Sequence, residues 1–70
     1  MGDTYLLEQE FGERYHVPRR TAQRWRSTGH GPPFIRLGPR RIVYRLKDCE
    51  DWAKARTFRS RADELAQQVA

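Results

Sequence analysis

The chain has 70 residues, of which 37% are hydrophobic and 33% charged, and its net charge is +5. A chain this short buries only about 60% of the surface its unfolded form exposes, which excludes a deep active-site cleft between two lobes. No apolar run approaches the roughly 18 residues of a membrane span, and we expect no secretory leader. A single cysteine, Cys49, excludes an internal disulfide framework and favours a reducing cytoplasm.

The charges are segregated along the chain. Residues 1–17 carry a net charge of −3 and residues 48–70 carry −1, whereas residues 18–47 hold nine basic side chains and no acid. Eight of the nine are arginines, whose planar guanidinium binds phosphate and guanine edges through paired hydrogen bonds. A one-signed segment repels itself, and a polyanion relieves that repulsion. We therefore expect a nucleic-acid partner rather than a membrane, and a merely solvated basic surface is the alternative.

The first predicted element is a short helix. Residues 1–4 are expected to form a loose end. Leu7, Phe11 and Tyr15 recur at helical spacing, which predicts a helix over residues 6–15 with these three side chains on its buried face.

A second helix is predicted over residues 18–27, after a break of two or three residues. Pro18 favours a first helical position, and Ala22 and Trp25 form the apolar pair expected to face the core. Two helices joined so closely cross at a large angle, as in a helix-turn-helix.

A β-hairpin is predicted next, with strands over residues 34–37 and 42–46 around a glycine-containing tip. Residues 28–33 form a rigid loop before it. We expect four hairpin side chains to face the core: Ile35, Leu37, Ile42 and Tyr44.

The last elements are helices. Asp48 can cap a helix over residues 49–56 that turns Cys49 and Trp52 inward, and a start at Lys47 is equally compatible. A final helix over residues 61–69 is too short to hold alone.

The predicted order is helix, turn, helix, hairpin, helix, which indicates a mainly α fold with a small β-hairpin: a winged helix-turn-helix. Residues 1–56 would form the domain, and residues 57–70 a C-terminal tail with the short last helix.

Nothing in the sequence indicates catalysis. His16, His30 and Cys49 lack the paired short spacing of a zinc site, and the carboxylates lie on predicted helix surfaces. We expect no catalytic residue, metal, cofactor or small-molecule substrate.

The second helix is the strongest candidate for binding, because a helix fits the major groove of B-DNA. There arginine can contact guanine and glutamine adenine, and the helix N-terminus offers free N–H groups to a phosphate. Thr21 could bond a phosphate or turn its methyl inward. The candidate residues are Pro18, Arg19, Arg20, Thr21, Gln23, Arg24 and Arg26.

The hairpin is the second candidate. Its arginines could lie along the DNA backbone or enter a narrow minor groove. An ordinary exposed turn is the alternative, as is pairing of Arg41 with an acid of the third helix. The candidate residues are Arg36, Arg40, Arg41 and Arg45.

Several motifs together resemble one family, the excisionase/AlpA-type small helix-turn-helix proteins, which are similar to the MerR-type winged-helix group. The resemblance covers residues 5–52. Its carriers are the run Arg19–Arg26, Gly29, Gly31-Pro32-Pro33-Phe34, Leu37-Gly38, Arg40-Arg41, Tyr44-Arg45 and Asp48–Trp52. Leu7 and Pro18 occupy the starts of the first two helices, where the family often has Ser or Thr.

The resemblance implies that the second helix enters the major groove while the hairpin contacts backbone or minor groove. It further implies a protein of a phage or mobile element that organises attachment-site DNA for an integrase and binds double-stranded DNA in several cooperative copies. A small AlpA-type transcriptional regulator is the first alternative. A protein-interaction adaptor and a single-stranded RNA binder are the others.

Overall fold

A computed structural model describes residues 3–69, with side chains through residue 67. The elements in chain order are β1 (Tyr5–Leu7), α1 (Glu8–Tyr15), α2 (Arg19–Thr28), β2 (Ile35–Gly38), β3 (Arg41–Arg45), α3 (Leu46–Ala55) and α4 (Arg61–Val69). The strands form one antiparallel sheet in the order β1-β3-β2. No helix in the described range is long and apolar enough to cross a membrane.

The sheet has one strand more than the sequence predicts. Leu6 pairs with Tyr44 and Leu7 with Val43, so the prediction of a helix from residue 6 is wrong at its start. Leu6 is buried, whereas Leu7, expected on the buried face, is 50% exposed. Helix α1 begins immediately afterwards, where the Glu10 carboxylate accepts a hydrogen bond of 2.8 Å from the Leu7 backbone N–H.

The turn between α1 and α2 is tight. His16 ends α1 in the left-handed region at φ 57°, and the Val17 N–H donates to the Gly12 carbonyl at 2.9 Å. A Cβ on Gly12 would stand 2.7 Å from the Val17 carbonyl oxygen. The helical glycine is therefore required by the close approach of the turn rather than by a second helix.

Helix α2 confirms its prediction to within one residue at each end. Pro18 occupies the N-cap rather than the first helical position, and Gly29 ends the helix at φ 83°. The Gly29 N–H donates to the Trp25 carbonyl at 2.7 Å, a left-handed glycine cap.

The hairpin forms as predicted, but its register does not place the expected side chains inward. Ile35 pairs with Val43 and Arg36 with Ile42, with a bulge between Arg36 and Gly38. Because neighbouring side chains alternate faces, Arg36 shares the inner face with Ile42. Ile35 lies on the outer face, and Leu37, in the bulge, is 60% exposed. The expected burial of Ile35 and Leu37 is therefore wrong.

The core lies between the inner face of the sheet and helices α1 to α3. Phe11 stacks on Tyr44 with ring centroids 4.4 Å apart. Helix α3 begins at Leu46, three residues earlier than predicted. The Leu46 N–H donates to the Thr4 carbonyl at 2.8 Å, which extends the pairing of β3 with β1 by one hydrogen bond. The buried residues of the core cluster are Leu6, Phe11, Ala22, Ile42, Tyr44 and Cys49.

Helix α3 also holds the loop after α2 in place. The Trp52 indole N–H donates to the His30 carbonyl at 2.9 Å, and its ring lies 5.6 Å from that of Trp25. The two tryptophans therefore pack on each other. Trp52 also packs against the core cluster, as expected, whereas Trp25 lies between Trp52 and the loop at Gly31.

Candidate nucleic-acid interface

One side of α2 is a polar stripe exposed to solvent. Arg20, Gln23, Arg24 and Ser27 recur at i, i+3, i+4 and i+7, and all four are exposed. The opposite side carries Ala22, which is buried. The predicted outward position of the first three side chains is confirmed.

Arg26 lies elsewhere, and its predicted outward position is wrong. Its side chain is only 15% exposed and lies 3.4 Å from a Glu8 carboxylate oxygen. It donates to the Tyr44 hydroxyl at 3.2 Å, and its guanidinium stands 5.9 Å from the centre of the Phe34 ring. Partial burial lowers the pKa of Arg26, but the hydrogen bond to Tyr44 and the charge of Glu8 outweigh it, so that the pKa is raised overall. Arg26 therefore joins α2 to the sheet and to α1.

Glu8 is the acid that the sequence pattern does not reveal. The same carboxylate oxygen that faces Arg26 lies 3.8 Å from the Arg19 Nε, although the Arg19 side chain remains 82% exposed. That oxygen is buried and has no hydrogen-bond partner among the described atoms. Residues 18–47 contain no acid in the sequence, but in the fold α1 brings the Glu8 carboxylate to one edge of α2.

A groove of about 610 Å³ separates α1 and the start of α2 from the hairpin tip. Arg19 lines it on one side, and Arg40 and Arg41 line it on the other. Glu8 and Glu13 also contribute to its walls, which gives the groove a mixed charge. The hairpin tip and α2 are therefore neighbours across one groove.

The polar stripe of α2 lies next to the helix edge from which Arg19 lines this groove. Arg19 and Arg26, seven residues apart, lie on the helix edge that faces Glu8. Gln23 follows Arg19 by four residues. It therefore lies between the edge that carries Arg19 and the side that carries Arg20 and Arg24.

Arg45 differs from the other hairpin arginines because it is paired with two carboxylates. Its guanidinium lies 3.2 Å from Asp48 and 3.5 Å from Asp3. The hydrogen bond to Asp48, with a smaller contribution from Asp3, raises the pKa of Arg45. Arg45 therefore links β3 to the start of α3, the kind of pairing with an acid of the third helix that is the alternative for Arg41.

Five of the predicted arginines have no carboxylate within 4.0 Å in the part of the chain whose side chains are described: Arg20, Arg24, Arg36, Arg40 and Arg41. All five are exposed. Pro18 is exposed at the N-cap of α2, and Thr21 is half-buried one turn into the helix.

Cys49 and His30 lie outside this surface, and each has a contact within the fold. Cys49 is fully buried, and burial, assisted by the charge of Asp48, raises the pKa of its thiol to about 11. The His30 Nδ1 lies 2.7 Å from the Thr28 hydroxyl. Within the described range, no three His, Cys, Asp or Glu side chains are grouped as a metal site would require.

Comparison with protein-family models gives no match, and comparison with curated protein sequences gives no significant one.

Proposed function

We propose that this protein binds double-stranded DNA through the exposed stripe of α2 and the tip of the β2–β3 hairpin, as a winged helix-turn-helix protein does. The observation that carries the proposal is a groove that Arg19, at the start of α2, lines on one side and Arg40 and Arg41 of the hairpin tip line on the other. Arg20 and Arg24 lie on the exposed stripe of α2, and like Arg40 and Arg41 they have no carboxylate within 4.0 Å among the described side chains. A helix fits the major groove, while phosphates flanking that groove fall within reach of side chains beside the helix.

In this arrangement the two elements have different tasks. Gln23 and Arg24 would contact base edges, since glutamine and arginine make paired hydrogen bonds to adenine and guanine. Arg40 and Arg41 would bind the backbone or the minor groove, where the negative potential is strongest when the groove is narrow. Such a protein would lie on the nucleoid in a bacterial cytoplasm.

The more specific proposal is an excisionase, a protein that organises attachment-site DNA of a phage or mobile element for an integrase. Its support is the family resemblance of residues 5–52 together with size. A single small module buries roughly 600–1,000 Å² of its surface on DNA, which favours several copies on neighbouring sites. A small AlpA-type transcriptional regulator would use the same contacts and is the alternative.

Two other partners have less support. Single-stranded RNA binders display aromatic rings on which bases stack, whereas Trp25 and Trp52 pack on each other. A protein adaptor would use the basic surface against an acidic protein, and its binding would depend only shallowly on salt.

The first test is the salt dependence of duplex binding. If three to five of the unpaired arginines contact phosphates, the logarithm of the association constant falls with slope of about −2.7 to −4.5 per decade of salt. A slope near zero would refute the proposal. Gln23→Ala and Arg24→Ala should each cost about 1–3 kcal/mol on a preferred site and relax specificity, with Lys54→Ala as the exposed control.

The second test separates excisionase from regulator. The purified protein is footprinted on the attachment site and the promoter of its own element, and added to an integrase reaction. An excisionase protects and bends attachment-site DNA and drives excision. Protection of the promoter alone, with no effect on the integrase products, would favour the regulator.

A further inference from the structure

Glu8 lines the groove and faces two arginines of α2. Its Oε1 atom lies 3.4 Å from the Arg26 Nη1 and 3.8 Å from the Arg19 Nε. The two arginines differ in their freedom to move. The Arg26 side chain is 15% exposed and is held by the Tyr44 hydroxyl, whereas the Arg19 side chain is 82% exposed. Glu8 therefore has one fixed partner and one partner that can turn away from it.

The charge of Glu8 is poorly screened by water. Its side chain is only 20% exposed, and the oxygen that faces both arginines is buried without a hydrogen-bond partner among the described atoms. A charge in such surroundings acts more strongly on its neighbours than a charge in bulk water, because the effective dielectric constant is lower. Glu8 therefore exerts its negative charge on Arg19 and on the groove.

The groove is also the place where a phosphate of a bound duplex would meet Arg19. Arg40 and Arg41 line the opposite wall, at the hairpin tip. A phosphate oxygen that accepts a hydrogen bond of about 2.8 Å from the Arg19 guanidinium would stand about 7 Å from the Glu8 carboxylate, which is itself 3.8 Å from that guanidinium. Glu8 and the phosphate are therefore alternative anions for one arginine.

We propose that Glu8 withholds Arg19 from DNA and thereby limits the affinity of the protein for the phosphate backbone. The proposal rests on the proposed DNA binding. In the free protein the carboxylate is the counterion of Arg19, and on DNA it repels the phosphate that Arg19 would bind. Because every duplex carries phosphates, Glu8 lowers the affinity for all sequences alike and leaves sequence preference to Gln23 and Arg24.

The expected size of the effect follows from the two negative charges. Unit charges about 7 Å apart, at an effective dielectric constant of about 20 to 80 and screened by 0.1 M salt with a Debye length of about 10 Å, change a binding constant by a factor of about 2 to 7. Removal of the carboxylate also gives DNA one more unpaired arginine. The magnitude of the salt slope should therefore rise by up to about 0.9.

Glu8→Gln tests the competition on a short mixed-sequence duplex. Glutamine keeps the size of the side chain and an oxygen that can face Arg26, and urea unfolding checks that the fold is retained. The variant should bind about 2- to 7-fold more tightly than wild type at 0.1 M salt, with the same gain on a preferred site. The matched control is Glu13→Gln. Glu13 lines the same groove, but no basic side chain in the described part of the chain lies within 4.0 Å of it.

A double-mutant cycle with Arg19→Ala isolates the shared arginine. Arg19→Ala should weaken binding of the wild type by less than about 2-fold, since the arginine gives up one ion pair to make another. In the Glu8→Gln background it should remove most of the gain, and in the Glu13→Gln background it should not. Weaker binding of Glu8→Gln would show that Glu8 positions Arg19 for DNA, and a gain that is undiminished without Arg19 would show a long-range field. Either result would overturn the proposal.

Pyrophosphate tests the same competition without DNA. The NMR signal of the Arg19 Nε–H group is followed as pyrophosphate is added, and it should saturate at a lower concentration in Glu8→Gln than in wild type or Glu13→Gln. Equal affinities in wild type and Glu8→Gln would overturn the proposal. If neither protein binds a duplex while Glu8→Gln still tightens pyrophosphate binding, the proposed function is refuted and the competition for Arg19 stands.

Discussion

Replacement of Arg26 by alanine should destabilise the fold rather than simply weaken DNA binding. Loss of a charged hydrogen bond to Tyr44 costs about 1.5–3 kcal/mol. The Glu8 carboxylate left without Arg26 adds about 1 kcal/mol, and the lost contact with Phe34 about 0.5 kcal/mol. The sum, about 3–4.5 kcal/mol, is a large share of the roughly 3.5–10 kcal/mol that a chain of this length has.

The assay is urea unfolding followed by the fluorescence of Trp25 and Trp52. With an m-value of about 1 kcal/mol/M, the midpoint of Arg26→Ala should fall by about 3–4.5 M. Arg24→Ala, whose side chain is exposed and unpaired, should change stability by less than about 0.5 kcal/mol. Adding Glu8→Gln to Arg26→Ala should recover about 1 kcal/mol, because it removes a largely buried charge whose nearer partner is gone. A wild-type midpoint for Arg26→Ala together with lost duplex affinity would refute this reasoning and return Arg26 to the interface.

Three further variants probe the turn, the core and the hairpin. Gly12→Ala should cost about 1–3 kcal/mol in urea unfolding, because its Cβ meets a backbone carbonyl at 2.7 Å. Gly38→Ala has open space around its Cβ and should be near neutral, so equal effects would contradict the packing. The Cys49 thiol, with its pKa raised from 9.0 to about 11, should resist a disulfide reagent at neutral pH until urea unfolds the chain; rapid native-state reaction would contradict its burial. Since folding favours the protonated thiol, its contribution is complete below pH 9 and is lost as pH rises through 11, a dependence that Cys49→Ala should lack. Arg40→Ala should reduce the magnitude of the salt slope of duplex binding by about 0.9. Arg45→Ala should leave that slope unchanged. Equal slopes for wild type and Arg40→Ala would show that the hairpin tip is not part of the interface.

The sequence predicts the helices and the hairpin because each has a local cause. Phe11 and Tyr15 recur at helical spacing, Pro18 and Gly29 delimit α2, and a glycine-containing turn separates two β-type runs. Strand β1 escapes prediction because three residues are too few to show an alternation, and its partner lies about 40 residues away in the chain.

The errors at the candidate surface have a different origin, which is long-range pairing. Nothing near Arg26 in sequence indicates that Glu8, 18 residues earlier, will stand beside it. The bulge at Leu37 likewise shifts the hairpin register and exchanges the faces expected for Ile35 and Arg36. Charge segregation along the chain therefore predicts the kind of partner better than it predicts which arginines are free to bind.

The most direct test of the account is an NMR titration of the protein with a short mixed-sequence DNA duplex at low salt, following the backbone amides. We predict that the largest shifts fall on residues 19–27 and on residues 38–42 around the hairpin tip, with small shifts on the outer sheet face and on α4. Shifts concentrated on the outer face, or absent when duplex is added in excess, would contradict the claim that α2 and the hairpin tip together form one DNA-binding surface.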